Sequence, residues 1–417
     1  MSVVRPFKAI KPRKNLVEKV ASLPYDVMNR VEAKEMAKGN EFSFLHVVRS
    51  EMDVDDTVDA YDEIVYKTAR KNLDKMIDDE ILVQDEKPMF YIYRQIMNGR
   101  VQTGLVGVTS IDDYMNNIIK KHEFTRAKKE VDRINNFDHC DANTAPIFLT
   151  YRKNDEISTI VNDWIKFHMP VYNFKSEDEI THIVWELTED GLNKRIEEIF
   201  ENEIDSLYIA DGHHRSASSV KVGMKRREAN PNFTGDEEYN YFMSVMFPDE
   251  DLFIMDYNRV IYNLNGLTND EFMEKVKEKF KVEKSDEAEP YRPMKKHTYG
   301  MYLENSWYVI EAKEGIYDAN DPVDRLDVSI LQENILRPLL GIEDPRTSEG
   351  IDFVGGIRGL KELEERVNEG KKVAFSMYPT TMEDLLAIAD AGKVMPPKST
   401  WFEPKLRSGL FVHRLFD

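Results

Sequence analysis

The chain has 417 residues, 41% of them hydrophobic and 32% charged, which is too long for one comfortable core and too apolar for a disordered segment; two packed domains are expected. Lys and Arg number 57 against 77 Asp and Glu, a formal net charge of −20, and a surface that acidic repels phosphate backbones and anionic lipid, so neither nucleic acid nor a membrane is expected as a partner. Cys140 is the single cysteine, which excludes an intrachain disulfide and any multi-cysteine metal centre.

The N-terminal MSVVRPFKAIKPRKN lacks the apolar stretch of a secretion signal, and no run is apolar enough to span a bilayer, so a cytoplasmic location is expected. Short strands are predicted at Phe7–Ile10, Pro24–Val27 and Phe44–Val48, with a helix in VEAKEMAKG closed by Gly39. A helix is predicted within 59–82, where apolar residues recur at three- and four-residue spacing. MFYIYRQIM and VQTGLVGVTSI, separated by Asn98-Gly99, read as a hairpin. Residues 120–145 read as polar and loop-like. APIFLTY, HIVWELT and LYIAD read as strands, with a helix in GLNKRIEEIFENEI. YNYFMSVMF and LFIMDYNRVIYNL predict a second hairpin across Pro248–Glu250. Beyond 265, helices and strands alternate again. The class is mixed α/β, with an N-terminal part at 1–262 packed with a second α/β unit at 263–417.

Three segments reverse the background charge or concentrate polar groups. In the first, Tyr208-Ile209-Ala210-Asp211 is a strand, Gly212 permits a tight turn, and His213, His214 and Arg215 open a helix. A helix N-terminus offers unpaired N–H groups and partial positive charge, so the turn reads as a phosphate-binding element. Asp211 there can orient a hydroxyl or hold Mg²⁺. Asp211 as an ordinary N-cap is the plainer alternative. The second segment runs from Lys120 to Arg133. It carries six Lys/Arg against Glu123, Glu130 and Asp132, and it offers Glu123 as base or metal ligand with Arg126 and Arg133 as anion contacts. A solvated helix face is the alternative there. The third lies between Lys393 and Arg414, with five Lys/Arg and one Glu. Lys398, Ser399, Thr400 and Lys405 supply two charges and two hydroxyls to a phosphate, or the prolines simply fix the C-terminus. A further carboxylate, Asp26, sits in a Pro-Tyr-Asp turn. The dinucleotide, P-loop, hydrolase-elbow and zincin motifs are all absent.

LPYDV, FLHVVRSE, HEFTRAKKEVDR, YIADGHHR, LDVSILQ and MPPKSTWFEPKLRSGL, in that order, resemble a large bacterial family of unknown function. Some of its relatives are free-serine kinases using inorganic pyrophosphate. DGHHR is also similar to the phosphate-binding motif of ParB, sulfiredoxin and the nucleotide-dependent serine kinases. The resemblance implies a ParB/serine-kinase-like N-terminal part and a Mg²⁺-dependent phosphotransferase converting free L-serine to O-phosphoserine. Pyrophosphate or a nucleotide would be the donor. Asp211 to Arg215 would hold donor phosphates and Mg²⁺, and Asp26 or Glu123 would take the hydroxyl proton while the other assists the metal. Two departures stand out. His213 occupies the place of the reactive cysteine of sulfiredoxins, and Asn258 precedes Arg259 where many relatives have histidine. A ParB-like nucleotide-binding switch and a phosphoesterase using the same site are the competing readings.

Overall fold

The computed structural model describes residues 2–125, 127–286 and 289–416. The chain divides into two units: 1–121, 125–252 and 404–417 form the first, and 122–124 with 253–403 the second. This differs from the expected boundary after 262, and the C-terminal Pro404–Asp417 segment returns to the first unit.

In the first unit one sheet is built from β1 (Val4–Arg5), β2 (Phe90–Met97), β3 (Arg100–Ser110), β4 (Ile119–Lys120), β5 (Ile147–Tyr151), β6 (Tyr172–Lys175), β7 (Thr181–Leu187), β8 (Leu207–Asp211) and β9 (Tyr241–Pro248). Their order is β4-β8-β5-β9-β3-β2-β7-β6, with β1 on β3. Asn98 and Gly99 join β2 to β3 with φ of 52° and 78°, the left-handed pair that a two-residue hairpin turn requires. The β8–β4 and β9–β5 pairs are parallel and the others antiparallel. Strands β5 and β8 read as continuous apolar runs because both faces are buried, Ile147 and Leu149 with Phe148 in one and Leu207 and Ile209 with Tyr208 in the other. Helices Asp155–Phe167 and Asp190–Glu203 set Ile157, Trp164, Ile196 and Phe200 into the same cluster, as their periodicity dictates.

Several expectations fail for physical reasons. Phe44–Val48 is not a strand; Leu45–Val48 is a short helix, and Leu45, Val47 and Val48 are all buried in a second cluster. Pro24–Val27 is a single 3-10 turn at Tyr25–Val27. Residues 127–140 form a helix, not a loop. Its polarity conceals burial, since Glu130, Arg133 and Asn136 are buried through polar partners. The second hairpin does not exist: β9 pairs with β3 and β5, whereas Tyr257–Ile261 pairs with other strands in the second unit. Cys140 is buried, and burial pushes its thiol up to about 12, out of range for thiolate chemistry.

The second unit has a sheet of β10 (Tyr257–Ile261), β11 (Phe280–Lys284), β12 (Thr298–Leu303), β13 (Ser306–Ala312), β14 (Ile351–Gly355) and β15 (Val373–Ser376) in the order β11-β13-β12-β15-β10-β14. All its pairings are antiparallel. Among the described residues, no helix is long and apolar enough to cross a membrane.

The helix that follows β8, His213–Ala229, runs tight against its surroundings. A Cβ on Gly223 would stand 2.5 Å from the Tyr239 carbonyl oxygen and 2.8 Å from Ile111. Gly223→Ala is expected to destabilise the protein by about 1–3 kcal/mol, because a backbone carbonyl cannot step aside as a side chain can. The urea unfolding midpoint measures it; an unchanged midpoint would contradict the packing described.

Candidate active site

The ladder between β8 and β5 shifts register between Ile209 and Asp211, an irregularity of the kind that re-aims a side chain at a strand end. Gly212 then takes φ 100° and ψ 29° and becomes the N-cap of the His213–Ala229 helix. An L side chain in that region is strained, so glycine is the residue the turn demands. It also leaves room. A Cβ at Gly212 would lie 3.1 Å from Nε of Arg215.

Arg215 folds back over the turn and its side chain is 3% exposed. Nη1 donates to the Pro146 carbonyl at 2.5 Å, and Nη2 is 3.8 Å from Oδ2 of Asp211. Nε has no hydrogen-bond partner among the described residues. A buried guanidinium with an unused donor is costly unless something else completes it. Asp211 does not do so, because Nζ of Lys405 holds the same carboxylate oxygen at 3.1 Å. Burial pushes the Asp211 carboxyl up, but Lys405, Arg215 and His213 outweigh it and hold the group well below the usual carboxylate range. Asp211 is therefore an anion at neutral pH.

Lys405 is placed by its backbone. Its carbonyl accepts from Nε2 of Gln95 at 2.9 Å, and Oε1 of Gln95 accepts from Gln102 at 2.9 Å. Both glutamines are buried on the β2–β3 hairpin. They tie the C-terminal segment to the sheet and deliver the lysine to Asp211.

The Tyr25 ring lies under the Arg133 guanidinium at 3.9 Å, a cation–π contact. Arg133 also donates to Asp132 at 2.9 Å, and Asp132 accepts from the Tyr66 hydroxyl at 3.0 Å. Burial, then Asp26, pushes the Tyr25 phenol up, while Arg133 and Arg215 pull against that shift. The LPYDV turn thus stands beside both arginines, with Asp26 exposed next to the buried Tyr25. The two histidines diverge, as neighbours on a helix must. His213 acts on Asp211, whereas His214 acts on Glu130. Glu130 accepts from Thr125 at 2.7 Å and from Lys221. Burial raises its carboxyl, and Lys221 and Thr125 bring it below the ordinary range.

So Asp26, Arg133, Asp211, Gly212, His213, His214, Arg215 and Lys405 belong to the first unit, and Glu123, Lys398, Ser399 and Thr400 to the second. Arg126 lies outside the described residues. Within the second unit, the Met395 amide donates to the His122 carbonyl at 2.8 Å, which brings the start of the MPPKST loop to the His122-Glu123 segment. Lys398 has a φ of 60° and its carbonyl accepts from Nη2 of Arg259 at 3.0 Å. Ser399 is hydrogen-bonded within its own loop. Its hydroxyl donates to the Pro396 carbonyl at 2.6 Å, and its own carbonyl accepts from Thr380 at 2.8 Å. That serine fastens the loop. Sequence reasoning missed Tyr25 and the Pro146 carbonyl. The aromatic beside Asp26 was a usable signal for the first; nothing in a sequence announces the second. Among the described residues no three His, Cys, Asp or Glu side chains cluster as a metal centre.

The model of the family described as "Protein of unknown function (DUF1015)" matches residues 4–329. The chain belongs to that family. Among curated proteins, none matches it. Solved structures similar to this member include a free serine kinase in complex with AMP, at 15% identity over 76% of this chain and 88% of the other, TM-score 0.37. A conserved hypothetical protein from Pyrococcus furiosus is 15% identical over 75% and 97%, TM-score 0.37. A C-terminally truncated SbnI from Staphylococcus aureus is 11% identical over 74% and 87%, TM-score 0.38.

Two outcomes follow from this geometry. Gly212→Ala should cost about 1–2 kcal/mol from the left-handed backbone alone and should also press on Arg215; equal urea midpoints for variant and wild type would refute it. Asp211, depressed when folded, stabilises the protein above its unfolded value near pH ~4 and loses that contribution as pH falls. The wild type should therefore lose more stability than Asp211→Asn on acidification from about pH 5, read by denaturation at a series of pH values.

Proposed function

We propose that this protein is a Mg²⁺-dependent phosphotransferase that moves a phosphoryl group from inorganic pyrophosphate to the hydroxyl of free L-serine. The observation that carries the reading is the Asp211–Arg215 turn. A buried arginine with an unpartnered Nε sits against a left-handed glycine at the first turn of a long helix. Such a turn suits an anionic oxygen, which would gain backbone N–H groups, the helix dipole and a guanidinium together. Phosphoryl transfer asks for little else than in-line positioning and neutralised charge.

The serine hydroxyl oxygen would bond to phosphorus as the bridging P–O bond breaks and orthophosphate leaves. The hydroxyl proton would pass to a carboxylate. Asp26, exposed beside Tyr25 in the same unit as the turn, is the candidate. Arg215, Lys405 and His213 would face the donor. Asp211 fits a magnesium ion as a single ligand, since only its Oδ2 enters the described hydrogen bonds, and Mg²⁺ commonly takes one or two carboxylates with water and phosphate oxygens. Such an ion would neutralise charge on the donor. A pyrophosphate donor has no base or ribose, which accords with a chain lacking nucleotide motifs.

Phosphorus NMR on the purified protein with Mg²⁺, L-serine, and pyrophosphate, ATP or ADP tests the reading. O-phosphoserine should form with pyrophosphate, and Arg215→Ala or Asp211→Asn should slow it about 10²–10³-fold. Orthophosphate without serine would instead identify a phosphoesterase, and unchanged turnover in both variants would refute the site.

A further inference from the structure

In the first unit a cavity of about 560 Å³ shares no lining residue with the Asp211–Arg215 turn. That volume falls within the range of small-molecule sites. Its walls come from the segments around residues 18–23 and 36–45, from the loop after β6, and from Arg407. Leu23, Met36, Phe42 and Phe174 are the large apolar groups of the lining, and Arg407 and Asp178 are among its charged ones.

The charged pair is built, and it is not a chance surface. The Arg407 side chain is 4% exposed and paired with Asp178, which is 43% exposed. Nε of Arg407 donates to Nε2 of His182 at 3.3 Å, and Nη2 donates to Ser176 at 3.1 Å and to Asp178. Burial, then Arg407, pushes His182 down to about 3, so the ring is neutral. Its Nε2 accepts, which leaves the proton on Nδ1, 2.7 Å from the Tyr93 hydroxyl. The arginine is thus fixed on one side by a buried network, and none of the described hydrogen bonds uses its Nη1. Ser22, also in the wall, is 6% exposed and its hydroxyl has no partner among the described residues. Neither has that of Ser408, its direct cross-strand neighbour.

A fixed arginine with a spare donor beside a half-exposed aspartate presents opposite charges a short distance apart. With two phenylalanines, a leucine and a methionine in the same lining, that arrangement matches a zwitterion bearing a large apolar group. We infer that this cavity binds a free α-amino acid with an aromatic or large aliphatic side chain. Arg407 and Ser22 take the carboxylate, Asp178 the ammonium group, and Leu23, Met36, Phe42 and Phe174 the side chain.

Calorimetric titration of the full chain with L-phenylalanine, 3-phenylpropionate and phenethylamine tests this. L-Phenylalanine should bind saturably, and each analogue lacking one charge should bind at least about tenfold more weakly. Met36→Trp, at a position 47% exposed, should fill the cavity and abolish binding without lowering the thermal midpoint. Arg407→Lys keeps the charge but loses the fork, and should weaken L-phenylalanine about tenfold. Absence of binding to the wild type, equal affinity for 3-phenylpropionate, or undiminished binding to Met36→Trp would each overturn the assignment.

Discussion

Arg215 is a buried cation that its own neighbourhood does not fully pair, and much of the first unit is arranged around that fact. An unpaired charge in a protein interior is expensive, and proteins retain one where a ligand or network completes it. Here Pro146 supplies one carbonyl, while the nearest carboxylate oxygen, on Asp211, is held more closely by Lys405 than by the arginine. The turn can place these groups together only because Gly212 takes a left-handed conformation and the β8 ladder slips one step before it.

The helix that begins at this turn is packed with small residues, and that choice has a consequence for the site. Ser216 hydrogen-bonds back to the Gly212 carbonyl at 3.0 Å, and Ser218 donates to the Glu130 carbonyl at 3.0 Å. Such short side chains let the 127–140 helix approach closely. That approach sets Glu130 beside His214 and Lys221, and on the same helix Arg133 covers Tyr25. Packing and electrostatics are one arrangement at this point. Helix–helix contact positions Glu130, His214 and Arg133 around the turn, while Lys405 is brought there by the C-terminal segment.

Periodicity and turn chemistry made the regular elements readable. The Asn98-Gly99 hairpin, the buried strands β5 and β8 and the helix opening at His213 each follow from local rules that the fold then obeys. The failures share a cause. Leu45–Val48 and residues 127–140 are governed by what surrounds them, and a window of sequence does not contain its surroundings. The site was legible in the same proportion. Asp211 to Arg215 stood out because strand, glycine and basic residues follow one another directly, and Lys405 because it reverses the sign of the chain. The contact of the Ser399 hydroxyl with the Pro396 carbonyl was not legible in the sequence.

By itself the sequence determined the mixed α/β class, the net negative charge, the single cysteine and the strand–glycine–helix order of the Asp211–Arg215 turn. These depend on composition or on residues adjacent in the chain. Only the tertiary structure decided that Lys405 reaches Asp211 across 194 positions, that Tyr25 lies beneath Arg133, and that Pro404–Asp417 folds back onto the first unit. Those outcomes depend on which buried polar groups find partners. Gln95 must meet the carbonyl of Lys405, and Arg407 must meet His182 and Asp178, and such pairings are settled by the whole fold because desolvation penalises every alternative that leaves them unmade.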